Sequence, residues 1–244
     1  MRKNITVEFT NERIIPSGGL AVVGAIPGKS DFAKKCNNMK VDCNHPQHQI
    51  KNGDVMLTYI GMQCMGKPSF DAVHEMDYDP DFYKAAPGIC YAMPSAETLR
   101  QRFDLIGSSI RRQILDENIK MLKSNGIVPS KLPCGYVSVD MDVSPFDNSK
   151  TCREGVSPTC KGCDGYAPMF ACIGSEGYLA SPELREGKQH CQKGTPRFLE
   201  ETIGLCRQLT DEPLLFRLDS GRFRQKYRHP PGAWMPFHHQ AQPP

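Results

Sequence analysis

Two apolar runs that each lead into aspartate constrain the fold of this chain more than any other feature. They are Tyr136–Val143 (YVSVDMDV) and Leu214–Gly221 (LLFRLDSG). Side chains alternate along a strand, so Asp140 and Asp142 are expected on one face, roughly 7 Å apart at about 3.3 Å rise per residue. If the two strands are parallel neighbours, Asp219 of the second run can approach that pair.

Carboxylates gathered in this way repel one another unless a cation neutralises them. Mg²⁺ and Mn²⁺ prefer oxygen ligands, so the pattern predicts a site for one of these ions. The alternative is that each aspartate only ends a strand or caps a turn, which aspartate often does.

Composition limits the function classes. The chain has 244 residues and a formal net charge of +3, but its last 23 residues carry four basic residues and no acid, which leaves −1 for the rest. Any affinity for nucleic acid must therefore come from local patches. The sequence has no apolar run of 18 residues and no signal-peptide core, which predicts a cytoplasmic protein without a membrane partner. In that compartment the 11 cysteines are expected to be reduced.

Two motifs come close to known sites without matching them. The first is a cluster of four cysteines: Cys152, Cys160, Cys163 and Cys172. It contains only one CxxC unit, so these thiols are expected to be buried rather than to bind zinc.

The second motif is at residues 19–30, which look like a strand entering a phosphate-binding loop, but Gly24 and Gly28 enclose three residues where four are required. A nucleoside triphosphatase is rejected on that ground.

Residues 1–130 are predicted to be mainly helical, with a possible role in DNA binding. The clearest helix is Ser95–Met121, which Ser95 can cap and along which apolar residues recur at helical spacing. Its other side carries four arginines that could contact phosphates or form a solvated face: Arg100, Arg102, Arg111 and Arg112.

Residues 131–221 are predicted to form a mixed α/β unit. Strands at Tyr166–Ile173 and Tyr178–Arg185 are joined by a hairpin at 174–177, and Pro182 places the second of them at a sheet edge. A helix capped by Thr195 follows, with four residues facing inward: Leu199, Ile203, Cys206 and Leu209. The order strand, strand, strand, helix, strand is that of the opening of a ribonuclease-H-like fold, in which the first and fourth strands are parallel neighbours.

The motifs of this region resemble those of a known family. The D-x-D strand, DGYAPMFA, LREGKQH and RLDSG occur in the order found in bacterial insertion-sequence transposases of the DDE type. The chain is most similar to the group catalogued as insertion sequence thirteen-eighty, and TNERIIPSGGL and MPSAETLRQRFD extend the resemblance toward the amino terminus. The resemblance covers residues from near 7 to 221.

This resemblance implies metal-dependent cleavage and transfer of DNA strands at the terminal inverted repeats of an element. In such enzymes three acidic residues hold two divalent metal ions. Asp142 best matches the first carboxylate, with Asp140 as a close rival, and Asp219 matches the second. Three further residues are candidates for contacting DNA: Arg185, Lys188 and His190.

The chain departs from the family after Asp219, where no acidic residue follows, although the family takes its third carboxylate from a later helix. Residues 222–244 lack apolar periodicity and are expected to be a disordered, frameshifted tail. We therefore expect a truncated, incomplete catalytic domain that is inactive alone and that associates with itself or with full-length transposase. The alternatives are a non-catalytic DNA-binding regulator of transposition and a ribonuclease-H-like nuclease that uses all three aspartates.

Overall fold

The computed structural model describes residues 11, 12, 14–39 and 50–218. The chain contains both helices and a mixed sheet, as the predicted α/β class requires. It divides into two compact units between Ser108 and Ser109, which is earlier than the boundary expected near residue 130. Asp219 and the predicted tail at 222–244 lie outside the described residues. Within those residues, no helix has the length and apolar character needed to cross a membrane.

The first unit is helical. Its helices are α1 (Leu20–Gly28), α2 (Phe32–Asn37), α3 (Asn52–Cys64), a 3₁₀ helix (Phe70–Tyr78), α4 (Pro80–Ala85) and α5 (Ala96–Ile106). Residues 19–30 look from the sequence like a strand entering a loop, but most of this segment forms helix α1. Gly24 lets this helix approach α4, because a Cβ at Gly24 would lie 1.8 Å from the carbonyl oxygen of Ala86.

A buried carboxylate links α3 to the segment after α4. Asp54 is 2% exposed. It accepts backbone hydrogen bonds from Cys90 at 3.0 Å, Tyr91 at 3.0 Å and Ala92 at 3.1 Å. Three N–H donors replace the water that this buried group has lost, so Asp54 is a structural anchor.

The single helix predicted for Ser95–Met121 is wrong. Ser95 does cap α5, since its Oγ accepts from the backbone N–H of Thr98 at 3.2 Å. Helix α5 ends at Ile106, because the next residue, Gly107, has a φ of +43°, which is outside the helical region. A 3₁₀ turn (Gly107–Ile110) follows, and α6 (Arg111–Ser124) begins in the second unit.

The second unit contains two sheets. The strands are β1 (Val137–Val143), β2 (Phe146–Asp147), β3 (Ser157–Pro158), β4 (Asp164–Tyr166), β5 (Met169–Ile173), β6 (Tyr178–Glu183) and β7 (Leu214–Leu218). The larger sheet has the order β6-β5-β1-β7, and the smaller has the order β2-β4-β3. In the larger sheet β1 is parallel to β7 and antiparallel to β5. The parallel pairing of the two aspartate strands is confirmed.

Helix α7 (Thr195–Cys206) packs on one face of the larger sheet. Val137, Val139 and Met141 of β1 are buried in this core with Phe198 and Leu199 of α7. The inward face predicted for α7 is confirmed. Its predicted cap is wrong, because the N-cap residue is Gly194, with φ of +79°. The Thr195 hydroxyl instead donates to the carbonyl oxygen of Cys191 at 2.5 Å.

The position of β6 at a sheet edge, predicted from Pro182, is confirmed. Side chains of α6 satisfy the carbonyl groups of this strand. Arg111 donates to the Pro182 carbonyl oxygen from Nε at 3.1 Å and from Nη2 at 2.8 Å. Asn118 Nδ2 donates to the Leu179 carbonyl oxygen at 2.9 Å.

The strands flanking the hairpin are shorter than predicted, although the turn itself lies between Ile173 and Tyr178 as expected. Tyr166 belongs to β4 of the smaller sheet, and the larger sheet resumes at Met169. β6 ends at Glu183 rather than at Arg185.

Candidate functional site

The candidate site lies at the end of the larger sheet where β1 and β7 finish. In their parallel pairing Asp140 is the partner of Arg217, and Met141 is the partner of Leu218. Met169 pairs with both Val143 and Glu183, so β1 and β6 finish at this same end and β5 starts there. Asp219 follows Leu218 in the sequence but lies outside the described residues.

Asp140 is bound by Arg217. Arg217 Nη2 donates to Asp140 Oδ2 at 2.6 Å, and Arg217 Nε donates to Asp140 Oδ1. The two side chains are 48% and 42% exposed. This hydrogen bonding raises the pKa of the Arg217 guanidinium above its ordinary value. Both oxygens of Asp140 are therefore engaged by an internal cation.

On its other side Asp140 is paired with Cys172 of β5. Burial raises the pKa of the Cys172 thiol, and the charge of Asp140 raises it further. The protonated thiol is a poor nucleophile and a poor metal ligand. Both effects favour the protonated form of Cys172 over the thiolate.

Asp142 is exposed, two residues farther along β1. Its cross-strand partner is Phe170, whose ring lies 6.0 Å from that of Phe146. No side chain in the part of the chain that the structure describes forms a hydrogen bond or ion pair with the Asp142 carboxylate within normal contact distances. Asp142 therefore differs from Asp140 in having both oxygens available.

These contacts decide how each aspartate fits a divalent ion. Asp142 offers free carboxylate oxygens, which are the ligands that Mg²⁺ and Mn²⁺ prefer. Asp140 does not fit while Arg217 holds it. Among residues 11–12, 14–39 and 50–218, no three His, Cys, Asp or Glu side chains are grouped so that they could hold a metal ion. Of the two aspartates of β1, only Asp142 has a carboxylate without an internal cation bound to it.

Arg185 follows β6 and is 3% exposed. Its Nε donates to Glu183 Oε1 at 2.6 Å, and its Nη1 donates at 3.2 Å to both Thr195 Oγ1 and the Cys191 carbonyl oxygen. The guanidinium also lies 5.7 Å from the Phe198 ring centroid. This burial favours a structural role, in which Arg185 fastens the loop before α7 to the helix.

Lys188 and His190 are exposed on that loop. The backbone N–H of Lys188 donates to Ser157 Oγ at 3.0 Å, so the loop packs against β3 of the smaller sheet. His190 Nδ1 accepts from the backbone N–H of Gln192 at 3.2 Å. A Cβ at Gly187 would lie 2.0 Å from the Ser157 carbonyl oxygen, which shows how closely the two segments approach. The Lys188 and His190 side chains are thus presented beyond the end of β6.

The four arginines predicted on one helix belong to two helices in separate units. Arg102 is 6% exposed and donates to Asn52 Oδ1 and to the Ile50 carbonyl oxygen. Arg100 is more exposed, with ion pairs to Glu97 and Asp71. Arg112 is also exposed and pairs with Asp116. The internal bonds of Arg102 favour a structural role for it.

The cysteine cluster is not buried as expected. Cys152 and Cys160 are exposed, and Cys163 and Cys172 are half-buried. The CKGC unit forms the tip of the β3–β4 hairpin, where the backbone N–H of Thr159 donates to the Cys163 carbonyl oxygen at 2.9 Å. These short strands hold few apolar side chains that could cover the thiols.

Arg217 is the residue of this site whose role the sequence reasoning missed. Arg217 was expected to share a strand face with Leu215 and Asp219, and the apolar pattern predicts no partner for it on β1. Opposite charges at paired positions of neighbouring strands are the signal that could have revealed it. Aligning Val137 with Leu214 places Arg217 opposite Asp140.

Comparison of the chain with protein-family models gave no match, and comparisons with curated proteins and with solved structures gave none either.

Proposed function

We propose that this chain carries the catalytic fold of a DDE-type transposase, with Asp142 and Asp219 as the ligands of Mg²⁺ or Mn²⁺. The observation that carries the proposal is the free carboxylate of Asp142 on a strand that runs parallel to β7. Asp219 comes directly after that strand in the sequence. Two parallel strands can bring their terminal carboxylates together at one end of a sheet.

The topology supports a ribonuclease-H-like fold as part of this proposal. The larger sheet is built from three antiparallel strands, then α7, then β7 parallel to β1. That is the order of elements expected for the first half of such a fold. The smaller sheet is an insertion between β1 and β5.

The proposed reaction is cleavage and transfer of DNA strands at the terminal inverted repeats of an insertion sequence. A bound divalent ion would supply activation of water or a 3′-hydroxyl and stabilisation of the leaving oxygen. Asp142 would hold that ion. Lys188 and His190 would contact DNA phosphates from the loop beyond β6, and Arg185 would keep this loop in place.

The contacts of Asp140 favour this proposal over a nuclease that uses all three aspartates. Its oxygens are bound by Arg217, so Asp140 cannot serve as a ligand in the observed arrangement. The same contacts favour Asp142 over Asp140 as the first carboxylate.

The test is titration calorimetry with Mn²⁺. We expect Asp142→Asn and Asp219→Asn each to weaken binding by at least about tenfold, because affinity for hard cations follows the number of charged oxygen ligands. The control is the double variant Asp140→Asn/Arg217→Gln, which removes the ion pair at constant net charge and should bind as the wild type does. Equal loss in the control, or no Mn²⁺ binding by the wild type, would overturn the proposed site.

DNA binding is measured on the same proteins by fluorescence anisotropy with a labelled duplex. Binding to DNA by a wild-type chain that binds no Mn²⁺ would favour the non-catalytic regulator instead. A chain that binds neither would contradict both functions.

A further inference from the structure

We infer that a pocket between the carboxyl ends of α6 and α7 binds a phosphate group. The pocket has a volume of about 330 Å³, and three cations line it: Lys120, Lys123 and Arg207. It lies near the start of β7, whereas the proposed metal site lies where β7 finishes. The inference is therefore separate from the proposed function and needs no metal ion.

The parallel packing of α6 and α7 forms the pocket. Arg111 at the start of α6 pairs with Glu201 of α7, and Ile119 farther along α6 packs with Leu205 near the end of α7. The two helices thus run in the same direction, and their carboxyl ends meet. The floor between them is apolar, because Ile119 and Leu209 line it. Charges beside such a floor interact more strongly than charges surrounded by water.

The carbonyl groups at these helix ends do not need the cations. Lysine and arginine near a carboxyl end often bind the last carbonyl groups of a helix. Here backbone N–H groups that follow α6 bind three of its last carbonyl oxygens at 3.0–3.1 Å; these belong to Met121, Leu122 and Lys123. Backbone N–H groups that follow α7 do the same at 2.9–3.1 Å; the acceptors are Ile203, Leu205 and Cys206.

Two of the three cations keep an unneutralised charge. Lys120 Nζ pairs with Glu117 Oε1 at 2.7 Å. Arg207 Nη1 donates to the carbonyl oxygen of Glu212 at 2.7 Å, which holds the side chain in place but carries no net charge. Lys123 is exposed and forms no ion pair with any residue that the structure describes. Lys123 and Arg207 therefore lack an internal carboxylate partner.

A phosphate group matches this lining. It carries about two negative charges near pH 7 and offers several strong acceptor oxygens. The arginine fork and the lysine ammonium are the usual phosphate-binding groups of proteins. The Gln208 amide and the Thr210 hydroxyl add neutral hydrogen-bonding groups. The phosphate can come from a free phosphate compound or from a DNA backbone.

One carboxylate, that of Asp211, also lines the pocket. Its negative charge repels an anion and lowers the affinity of the site. Removal of this charge should therefore strengthen phosphate binding, whereas removal of a cation should weaken it. The two kinds of variant thus give effects of opposite sign at one site.

The experiment is a titration of the whole chain with inorganic phosphate at constant ionic strength, followed by the NMR shifts of backbone amides. We expect shifts at residues 119–123 and 207–211. Lys123→Gln and Arg207→Gln should each weaken binding by about three- to tenfold, the effect of one partly solvated charge. Asp211→Asn should strengthen binding by about threefold.

The matched control is Lys161→Gln at the tip of the β3–β4 hairpin, which changes the net charge equally but lies outside the pocket lining. It should bind phosphate as the wild type does. Lys123 and Lys161 are both exposed, so neither substitution removes a buried contact. Circular dichroism verifies that each variant is folded.

Two further titrations identify the source of the phosphate. Adenosine monophosphate that binds more tightly than inorganic phosphate assigns the pocket to a free phosphate compound. A short DNA duplex that shifts the same amides, with no gain from adenosine monophosphate, assigns it to DNA. Amide shifts confined to other residues, no shifts at all, equal weakening in Lys161→Gln, or no tightening in Asp211→Asn would overturn the inference.

Discussion

Arg111 on α6 and Glu201 on α7 form an ion pair in which Arg111 Nη1 donates to both carboxylate oxygens, at 2.9 and 3.0 Å. Through its other nitrogen atoms the same guanidinium binds Pro182 and Ser181 of β6. One side chain thus joins two helices and the edge strand. The sequence pattern suggested a phosphate contact, but this arginine supports the fold.

Replacing Arg111 with alanine should lower the free energy of unfolding by about 2 kcal/mol, because hydrogen bonds to charged groups contribute ~1.5–3 kcal/mol. Arg112→Ala is the matched control. Arg112 is 57% exposed, and its ion pairs should contribute no more than about 1 kcal/mol. Urea unfolding measures both variants. Similar losses in the two would show that the contacts of Arg111 add no special stability.

Substitution by alanine should have opposite effects on folding stability at two glycines of the second unit. A Cβ at Gly187 would meet the Ser157 carbonyl oxygen at 2.0 Å and the Gly165 carbonyl oxygen at 2.4 Å, so Gly187→Ala must displace the loop from the smaller sheet. On α7, a Cβ at Gly204 would meet nothing within 4 Å. Gly204→Ala should stabilise by about 0.5–1 kcal/mol through the better helix propensity of alanine. Thermal unfolding distinguishes the two, and a destabilising Gly204→Ala would contradict the packing described for α7.

The raised pKa of the Cys206 thiol should lower the free energy of unfolding at alkaline pH. Burial raises the pKa of its thiol from 9.0 to about 12, against a smaller opposing effect of Arg207. Between these values the unfolded chain loses the thiol proton while the folded chain keeps it. The stabilisation is thus fully present below pH 9 and is lost as pH rises toward 12.

The check is the free energy of unfolding at several pH values from 8 to 11 for wild type and Cys206→Ala, which removes the thiol. Other groups titrate equally in both proteins, so the difference isolates Cys206. The wild type should lose up to about 1.4 kcal/mol more per pH unit above 9. Parallel curves would mean that this thiol ionises equally well in the folded chain.

Lys188 should contribute to DNA affinity if the proposed function is correct. Lys188→Gln should weaken duplex binding and reduce the slope of log K against log salt by about 0.9, the value for one lost phosphate contact. Lys188→Arg keeps the charge and should leave the slope unchanged. Fluorescence anisotropy at several salt concentrations provides the slopes. If Lys188→Gln binds with the wild-type slope, the loop does not contact phosphates.

Long helices and strands could be predicted from the sequence, because the spacing of their apolar residues indicates which face is buried. The alternation in β1 and the inward stripe of α7 are of this kind. The edge position of β6 was predictable for a different reason, because Pro182 cannot donate a hydrogen bond within a sheet. The smaller sheet could not be predicted in this way, since strands of two or three residues are too short to show a period. The break at Gly107 was missed because apolar residues continue at helical spacing on both sides of it.

The candidate site was predicted less completely, for a different reason. Charged residues are usually exposed, so Arg102 was expected on a helix face that either contacts phosphates or is solvated. The family resemblance made Arg185 a candidate for contacting DNA. Both side chains are buried. Their partners are distant carbonyl, amide and hydroxyl groups that only tertiary packing brings near, such as Asn52 for Arg102 and Thr195 for Arg185. The Asp140–Arg217 pair likewise depends on strand register, which neither apolar run defines alone.

The two borders of the larger sheet differ in their capacity to accept another strand. At β6, proline lacks an amide hydrogen, and side chains of α6 already bind the carbonyl groups of Leu179 and Pro182. At β7, the sheet order places no further strand among the described residues. The backbone groups along the outer side of β6 are thus already partly occupied, by the proline ring and by the two side chains of α6.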